Sequence, residues 1–482
     1  VSGAPRLSSH IAGAAHASAG DRWIDSVNPS DPGDLVARVP EGVPDDVHAA
    51  LKAATDAFPA WRALTGMARA ELLYKWADVI ADRQEAFAQA MAREVGKPIT
   101  EARGEAARAV VILRYYAGEA VRPNGVVIPS QAAGAMQFTL QEPLGVAALI
   151  TPWNFPVAIP LWKAAPALAF GNTVVLKPSE MASHVAMMIA ESAAAAGLPA
   201  GVFNVLLGAG ATVGDILISQ PAARVVSFTG SMKVGTRVAT VAAKRNVRFQ
   251  TEMGGKNVAI VLPDADIAQA VGLIAAGAMR YAGQKCTATS RVIVAREVEG
   301  KFLDALRAKV AGMALGPVTD PAAAVGPLIS EASRANIRAV LDAAKAEAVY
   351  AGTLPSGAEY ARGNWMAPMI LRGGSPDADL AQRELFGPVL AAFTADDLGH
   401  AIELANGTPY GLSASLFTRD LRAAMTYIPR IHAGLVRVNA DTTGVDPHAP
   451  FGGMKGSSSG TREQGPAARE FYTETKTVQI NP

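Results

Sequence analysis

Thr173-Val174-Val175-Leu176-Lys177-Pro178-Ser179-Glu180 is a β-branched run that stops at a Lys-Pro-Ser-Glu loop, and reading it as a strand decides the fold. The alanine-rich stretch Ser183 to Ala196 behind it reads as a helix. Outward from this pair the same rhythm repeats. Val146 to Ile150 is a strand with a helix after Pro156, and Phe203 to Leu207, Val225 to Phe228 and Val247 to Thr251 are further strands, with helices starting near Ala211 and Ser231. Strands alternating with helices make βαβ units, so five strands in this rhythm predict a doubly wound α/β domain.

The flanks extend this picture. Val47 to Phe58, Arg69 to Arg83 and Gln84 to Glu94 carry apolar residues at helical spacing and are expected to pack on the sheet. A second alternating region runs from Val258 to about Asn439, with strands near Arg291 to Ala295, Val389 to Phe393 and Leu435 to Val438. It predicts a second α/β domain. Val126 to Glu142 alternates around Gly134 and reads as a hairpin leaving the main body, which together with the β-prone tail Tyr472 to Ile480 is suited to pair with another subunit. Ile11 to Gly20, rich in Ala and Gly, is read as a loose tail.

Composition narrows the function. A chain of 482 residues, half of them hydrophobic and 18% charged, fills two or three domains. The formal charge of +1, without a basic stripe, argues against nucleic acid, and no apolar stretch is long enough to span a bilayer. The seven histidines show no helical metal-pair spacing, so no metal is expected. The lone Cys286 can form neither an intrachain disulfide nor a thiolate metal site. With no secretion signal and one free thiol, a reducing cytoplasm is the expected compartment.

Cys286 is then either inert filler or a nucleophile, and its small polar setting, Gly283-Gln284-Lys285-Cys286-Thr287, suits a reactive thiol. Four further segments end strands at the same sheet edge or domain joint. In Thr151-Pro152-Trp153-Asn154-Phe155-Pro156 the Asn154 amide either donates to an oxyanion or caps the next helix. Lys177 and Glu180 either contact a nucleotide ribose or are solvated loop charges; a carboxylate at Glu180 would repel a 2′-phosphate, which favours NAD over NADP. Phe228-Thr229-Gly230-Ser231 with Gly235 is either a variant pyrophosphate turn or a tight turn with a serine cap. Glu252, beside Gly254 and Gly255, is either a general base for water or a surface carboxylate.

Taken together, Trp153-Asn154-Phe155-Pro156, Lys177-Pro178-Ser179-Glu180, Phe228-Thr229-Gly230-Ser231, Glu252-Met253-Gly254-Gly255-Lys256-Asn257, Gly283-Gln284-Lys285-Cys286, Glu384-Leu385-Phe386-Gly387-Pro388 and Pro450-Phe451-Gly452-Gly453 resemble the aldehyde dehydrogenase superfamily in order and spacing, from Trp23 to Ile480. The resemblance implies Cys286 as nucleophile, Glu252 as base for deacylation and Asn154 as oxyanion donor. It implies cofactor contacts from Thr151, Pro152, Trp153, Lys177, Ser179 and Glu180. On the same basis Gly210, Gly214, Phe228, Thr229, Gly230, Ser231 and Gly235 belong to the cofactor site. Met253, Gly254, Glu384 and Phe386 complete it, with NAD preferred and NADP as the alternative. A substrate pocket of Phe155, Ile159, Trp162, Lys285, Thr287, Val445 and Phe451 is implied for a small-molecule aldehyde.

The fold implied is a doubly wound cofactor-binding domain (1–123 and 144–253), a second α/β catalytic domain (254–453) and a β-hairpin oligomerisation element (124–143 and 454–482), in a homodimer or homotetramer. Thr251 and Ser458 depart from the pattern, and neither is expected to touch the chemistry. A deacylating base at Glu252 argues against the coenzyme-A-acylating branch. Around Leu113 to Glu119, Cys286 and Gly444 to Gly465, the chain looks most like the 2-oxoglutarate semialdehyde dehydrogenase branch, with Lys285 or His448 as candidates to attract a substrate carboxylate. An aromatic or aliphatic aldehyde is the competing substrate, and a catalytically silent protein on the same fold is the competing class.

Overall fold

Five parallel strands, ordered Phe203–Val205, Thr173–Lys177, Val146–Ile150, Ala223–Thr229 and Arg248–Glu252, form the centre of an eight-stranded sheet in the computed structural model of the protein, which describes residues 3–482. In chain order these are the third, second, first, fourth and fifth strands. The direction of winding therefore reverses between Val146–Ile150 and Ala223–Thr229, and the crevice beyond their carboxyl ends is where such sheets bind ligands. Alternate side chains serve opposite faces. Ala147, Leu149, Val174 and Leu176 pack under the helices Gly66–Asp82, Ile99–Glu119 and Ala158–Ala169. Ala148, Val175 and Val226 face the helix Pro44–Ala63. Each fully buried Val or Leu contributes about 1.5–3 kcal/mol.

The segment read as a loose tail is an ordered edge of this sheet. Ser9–Ile11 and Ala14–His16 form a hairpin whose first strand pairs antiparallel with Phe203–Val205. Ala12 and Gly13 both take positive φ, as a tight two-residue hairpin requires, but Ala-Gly is a weak turn signal and hid the feature. Ala12 N–H donates to Asn204 Oδ1 at 3.0 Å, and Ser9 Oγ accepts from Leu207 N at 3.0 Å.

The second sheet runs Glu347–Ala351, Met369–Arg372, Val389–Ala395, Arg291–Ala295, Val258–Val261, Ser413–Phe417 and Leu435–Val438, parallel except for its first pair. Ser413–Phe417 escaped the sequence reading because two serines interrupt its apolar run, and Glu347–Ala351 because it is a polar edge. The expected hairpin exists as Val127–Ile128 and Met136–Pro143, and it pairs with the tail strand Thr473–Ile480 of the same chain. Ser458–Gly460 lies apart from that three-stranded sheet; it adds antiparallel to Arg248–Glu252 in the first sheet. Among the described residues no helix is long and apolar enough to cross a membrane.

Candidate active site

Cys286 follows a turn in which Tyr281, Ala282 and Gly283 all take positive φ, at 55°, 51° and 66°. Each non-glycine residue there costs roughly 1–3 kcal/mol, so the surroundings must hold it. At Gly283 a β-carbon would lie 2.5 Å from Gly387 O and 2.8 Å from Ala278 O, which leaves room only for glycine. The buried Gln284 side chain ties the turn down, donating to Pro327 O at 3.0 Å and accepting from Ile329 N at 2.9 Å. Asn257 Nδ2 donates to the carbonyls of Cys286 and Ala288 at 2.8 and 2.9 Å, while its Oδ1 accepts from Ser413 N. The thiol thus stands on a backbone fixed by the second sheet and by the loop at Pro327 to Ile329.

Two cavities meet at this sulfur. One, of about 250 Å³, opens at the reversal point of the first sheet and is lined by Pro152, Trp153, Asn154, Thr229, Gly230 and Ser231, with Met253, Gly254, Glu384, Phe386 and Ile159. The other, of about 330 Å³, is walled by Phe155, Trp162, Val445 and Phe451 and carries Lys285, Thr287 and several charged groups of the helix Ile99–Glu119. Cys286 lines both. Ile159, expected in the substrate pocket, belongs to the first cavity, whereas the other expected pocket residues line the second.

Asn154 does not cap the next helix. The N–H groups of Val157 and Ala158 donate instead to Glu105 Oε1, both at 2.9 Å, and Asn154 Nδ2 donates to Gln284 O at 3.1 Å. An amide nitrogen carries two hydrogens, so one remains for a ligand. Part of Cys286 is accessible, yet burial pushes its thiol up to about 12, with the charges of Glu384 and Glu252 adding to the effect. Glu384 accepts from Gly255 N at 3.0 Å and is raised by burial to about 7; a β-carbon at Gly254 would collide with its carboxylate.

Glu252 is buried and lines neither cavity wall. Burial first, then the charge of Glu463, raises its carboxyl well above the ordinary range, and Ser458 Oγ, donating to Oε2 at 2.6 Å, pulls it back. Oε1 has no hydrogen-bond partner. Ser458 therefore touches the carboxylate directly, contrary to the sequence expectation. Gly453 N donates to Ser458 Oγ at 2.6 Å, which orients the hydroxyl towards Glu252. Thr251 pairs with Ser459, 2.6 Å away, and stays out of the site. Behind Glu252, Glu463 forms a buried ion pair with Lys163, whose Nζ also donates to Ser227 Oγ.

The remaining expected cofactor residues cluster around the same sheet edge. Lys177 is buried and pairs with Glu180 at 3.2 Å, and Ser179 caps the short turn after it, accepting from Met181 N. Gly210 and Gly214 bound a π-helical turn, Gly210 facing Lys177 Nζ. Ser231 caps the helix Met232–Lys244. Gly235 is explained by packing, since a β-carbon there would lie 2.5 Å from Met253 Sδ. The Phe386 ring meets Trp153 edge-on at 5.6 Å. The hydroxyls of Thr151 and Thr229 are buried without a partner at the edge of the crevice, unspent groups that fit a polar ligand such as a dinucleotide. Lys285 is already paired, 2.7 Å from Glu101, and the exposed His448 lies beside Tyr115 with its ring tilted, outside the second cavity.

A nucleotide-type crevice at a sheet reversal, opening onto a single thiol that also lines an apolar cavity, defines an oxidoreductase of the NAD(P)-dependent kind. The profile of the Aldehyde dehydrogenase family matches residues 16–478, and the chain belongs to that family. It is 43% identical over 458 residues, 94% of either chain, to "Alpha-ketoglutaric semialdehyde dehydrogenase" of Bacillus subtilis (strain 168). It is 37% identical over 465 residues, 95% of this chain and 96% of the relative, to "2,5-dioxopentanoate dehydrogenase" of Saccharolobus solfataricus. The crystal structure of an NAD-dependent aldehyde dehydrogenase from Sinorhizobium meliloti superposes with a TM-score of 0.95 at 36% identity, covering 99% of this chain and 95% of that one. The protein is an NAD(P)-dependent enzyme that oxidises the aldehyde group of a small molecule.

Proposed function

We propose that this enzyme oxidises a carboxylate-bearing semialdehyde of the 2,5-dioxopentanoate type to the acid, with Cys286 as nucleophile, Asn154 as oxyanion donor and Glu252 as the base that deprotonates water. The observation that carries the chemistry is the position of Cys286 on the walls of both cavities. A sulfur there can hold a carbon from one cavity against a hydride acceptor in the other. The names and identities of the curated relatives support the substrate.

In this reading the Cys286 thiol gives up its proton to solvent and its sulfur adds to the aldehyde carbon, and the oxygen that becomes negative takes hydrogen bonds from Asn154 Nδ2 and the Cys286 N–H. A bound nicotinamide dinucleotide supplies the hydride acceptor. Pro152, Trp153, Asn154 and Phe386 would enclose the nicotinamide end, Glu384 its ribose, Gly230, Ser231 and the start of Met232–Lys244 the phosphates, and Lys177 with Ser179 and Glu180 the adenosine ribose. Gly210, Gly214, Gly235 and Met253 shape the walls behind it. The thioester left on Cys286 is cleaved by water whose proton goes to Glu252, releasing the acid and leaving Cys286 as the thiolate. The chain division follows the same plan: 1–123 with 144–253 for cofactor, 254–453 for the nucleophile, 124–143 with 454–482 for subunit bridging in a homodimer or homotetramer. A reducing compartment such as the cytoplasm keeps the one thiol free.

The test is an aldehyde panel with both cofactors: 2,5-dioxopentanoate, 4-oxobutanoate, benzaldehyde and hexanal. The semialdehydes are expected to have the highest kcat/KM, and NAD a higher kcat/KM than NADP because of Glu180. Benzaldehyde or hexanal in first place would refute the substrate, and a ratio favouring NADP would refute the cofactor preference.

Ser458 carries a second expectation. Its hydroxyl stabilises the charged form of Glu252, so Ser458→Ala removes a bond to an ionised group worth about 1.5–3 kcal/mol. Glu252 must be ionised to take a proton, and its carboxyl rises further in the variant. The ascending limb of the pH profile for thioester hydrolysis is expected to move alkaline by about one pH unit or more. Rapid-mixing turnover after the first hydride transfer, followed across pH, measures it; an unmoved limb would contradict the role.

A further inference from the structure

We propose that Arg108 selects substrates that carry a carboxylate, its guanidinium receiving the acid group in the cavity that Cys286 lines. The inference rests on the semialdehyde reading above and names the residue that enforces it. Glu101, Glu105 and Arg108 stand at spacings of four and three on the helix Ile99–Glu119, so they share one face, and all three line the 330 Å³ cavity.

Each of the other charged side chains of that cavity already has a hydrogen-bond or ion-pair partner. Glu105 is buried in an ion pair with Lys97 and accepts two backbone N–H groups. Glu101 holds Lys285 at 2.7 Å and has Arg280 at 4.0 Å. Asp441, a carboxylate on the same wall, accepts from Thr443 N at 3.1 Å and from Thr443 Oγ1 at 2.9 Å. Arg108 is half-buried, and among the described residues it has neither a carboxylate within 4 Å nor a hydrogen-bond acceptor. Its five donors in a planar fork match a carboxylate in two parallel bonds, which an ammonium cannot do. Lys285, the nearer candidate in sequence, is neutralised by Glu101. Phe155, Trp162, Val445 and Phe451 give the same cavity apolar walls suited to the carbon chain.

Steady-state kinetics of the wild-type holoenzyme, Arg108→Met and Arg108→Lys with 2,5-dioxopentanoate, 4-oxobutanoate and pentanal test the assignment. In Arg108→Met the KM for both acids is expected to rise about 30-fold or more, the effect of removing one partner of a hydrogen-bonded charge pair. Arg108→Lys is expected to fall between, and kcat and all pentanal parameters to stay within about threefold, because the lost interaction is made equally in ground and transition states. Unchanged KM for the acids in Arg108→Met would overturn the proposal, as would an equal loss with pentanal, which marks a structural role. A wild-type enzyme with no preference for the acids over pentanal would overturn the semialdehyde reading itself, and this shows before any substitution is made.

Discussion

The Cys286→Ala protein is expected to form no NADH from any aldehyde, a loss of at least about 10⁴-fold in kcat. No other thiol exists in the chain to take over. The substitution should leave the fold intact, because the loop is held by the backbone: Asn257 bonds the Cys286 carbonyl, Gln284 ties down the preceding turn, and the positive φ values precede the sulfur. Asn154 and the residue 286 N–H remain, so the variant keeps both proposed oxyanion donors and loses only the proposed nucleophilic atom. The raised thiol sharpens the expectation. Burial and two neighbouring carboxylates push it up to about 12, so the free enzyme holds little thiolate at neutral pH, and a positive charge entering the adjacent cavity is what would lower it. Absorbance assays with the full aldehyde panel, alongside cofactor binding by the variant, measure the effect. A rate within tenfold of wild type would remove Cys286 from the chemistry.

Elements whose local pattern and tertiary role agree were legible in the sequence. Thr173–Lys177 and Arg291–Ala295 have the strand bounds that their β-branched runs suggest, and the reversal point falls where Thr151 to Asn154 and Gly230 to Ser231 were read as candidate ligand contacts. What was hidden depends on contacts between distant residues. Nothing near Ser458 in sequence says that its strand folds back beside Arg248–Glu252 and points a hydroxyl at Glu252, 206 positions away. Asn257 was visible only as part of a motif; that its amide bridges Cys286, Ala288 and Ser413 needs the two sheet strands in register. Lys285 looked free beside the nucleophile because Glu101, its partner, is 184 residues earlier. Charge pairing of this kind has no local signature, which is why Arg108, unpaired among the described residues, is distinguished only in three dimensions.

The Glu252→Gln protein is expected to release one burst of NADH per active site and then turn over about 10²–10⁴-fold more slowly, the usual loss for a general base. In the proposed mechanism sulfur addition and hydride departure need no base at 252, whereas thioester hydrolysis does. The arrested enzyme should therefore weigh more by the aldehyde less two hydrogens, carried on Cys286, and mass spectrometry reads this directly. Glutamine keeps the shape, and its amide oxygen can still accept from Ser458 Oγ. Stability separates this variant from one that merely unfolds. The wild-type carboxyl is raised above its unfolded value by burial and by Glu463, so its contribution to stability is complete below the unfolded value and is lost as pH rises through the folded one. Glutamine has no such loss. The Tm of Glu252→Gln should equal or exceed that of the wild type near neutrality, and the difference should widen as pH rises, while the burst persists. A variant without the burst, or one with undiminished steady-state turnover, would take the deacylating role away from Glu252.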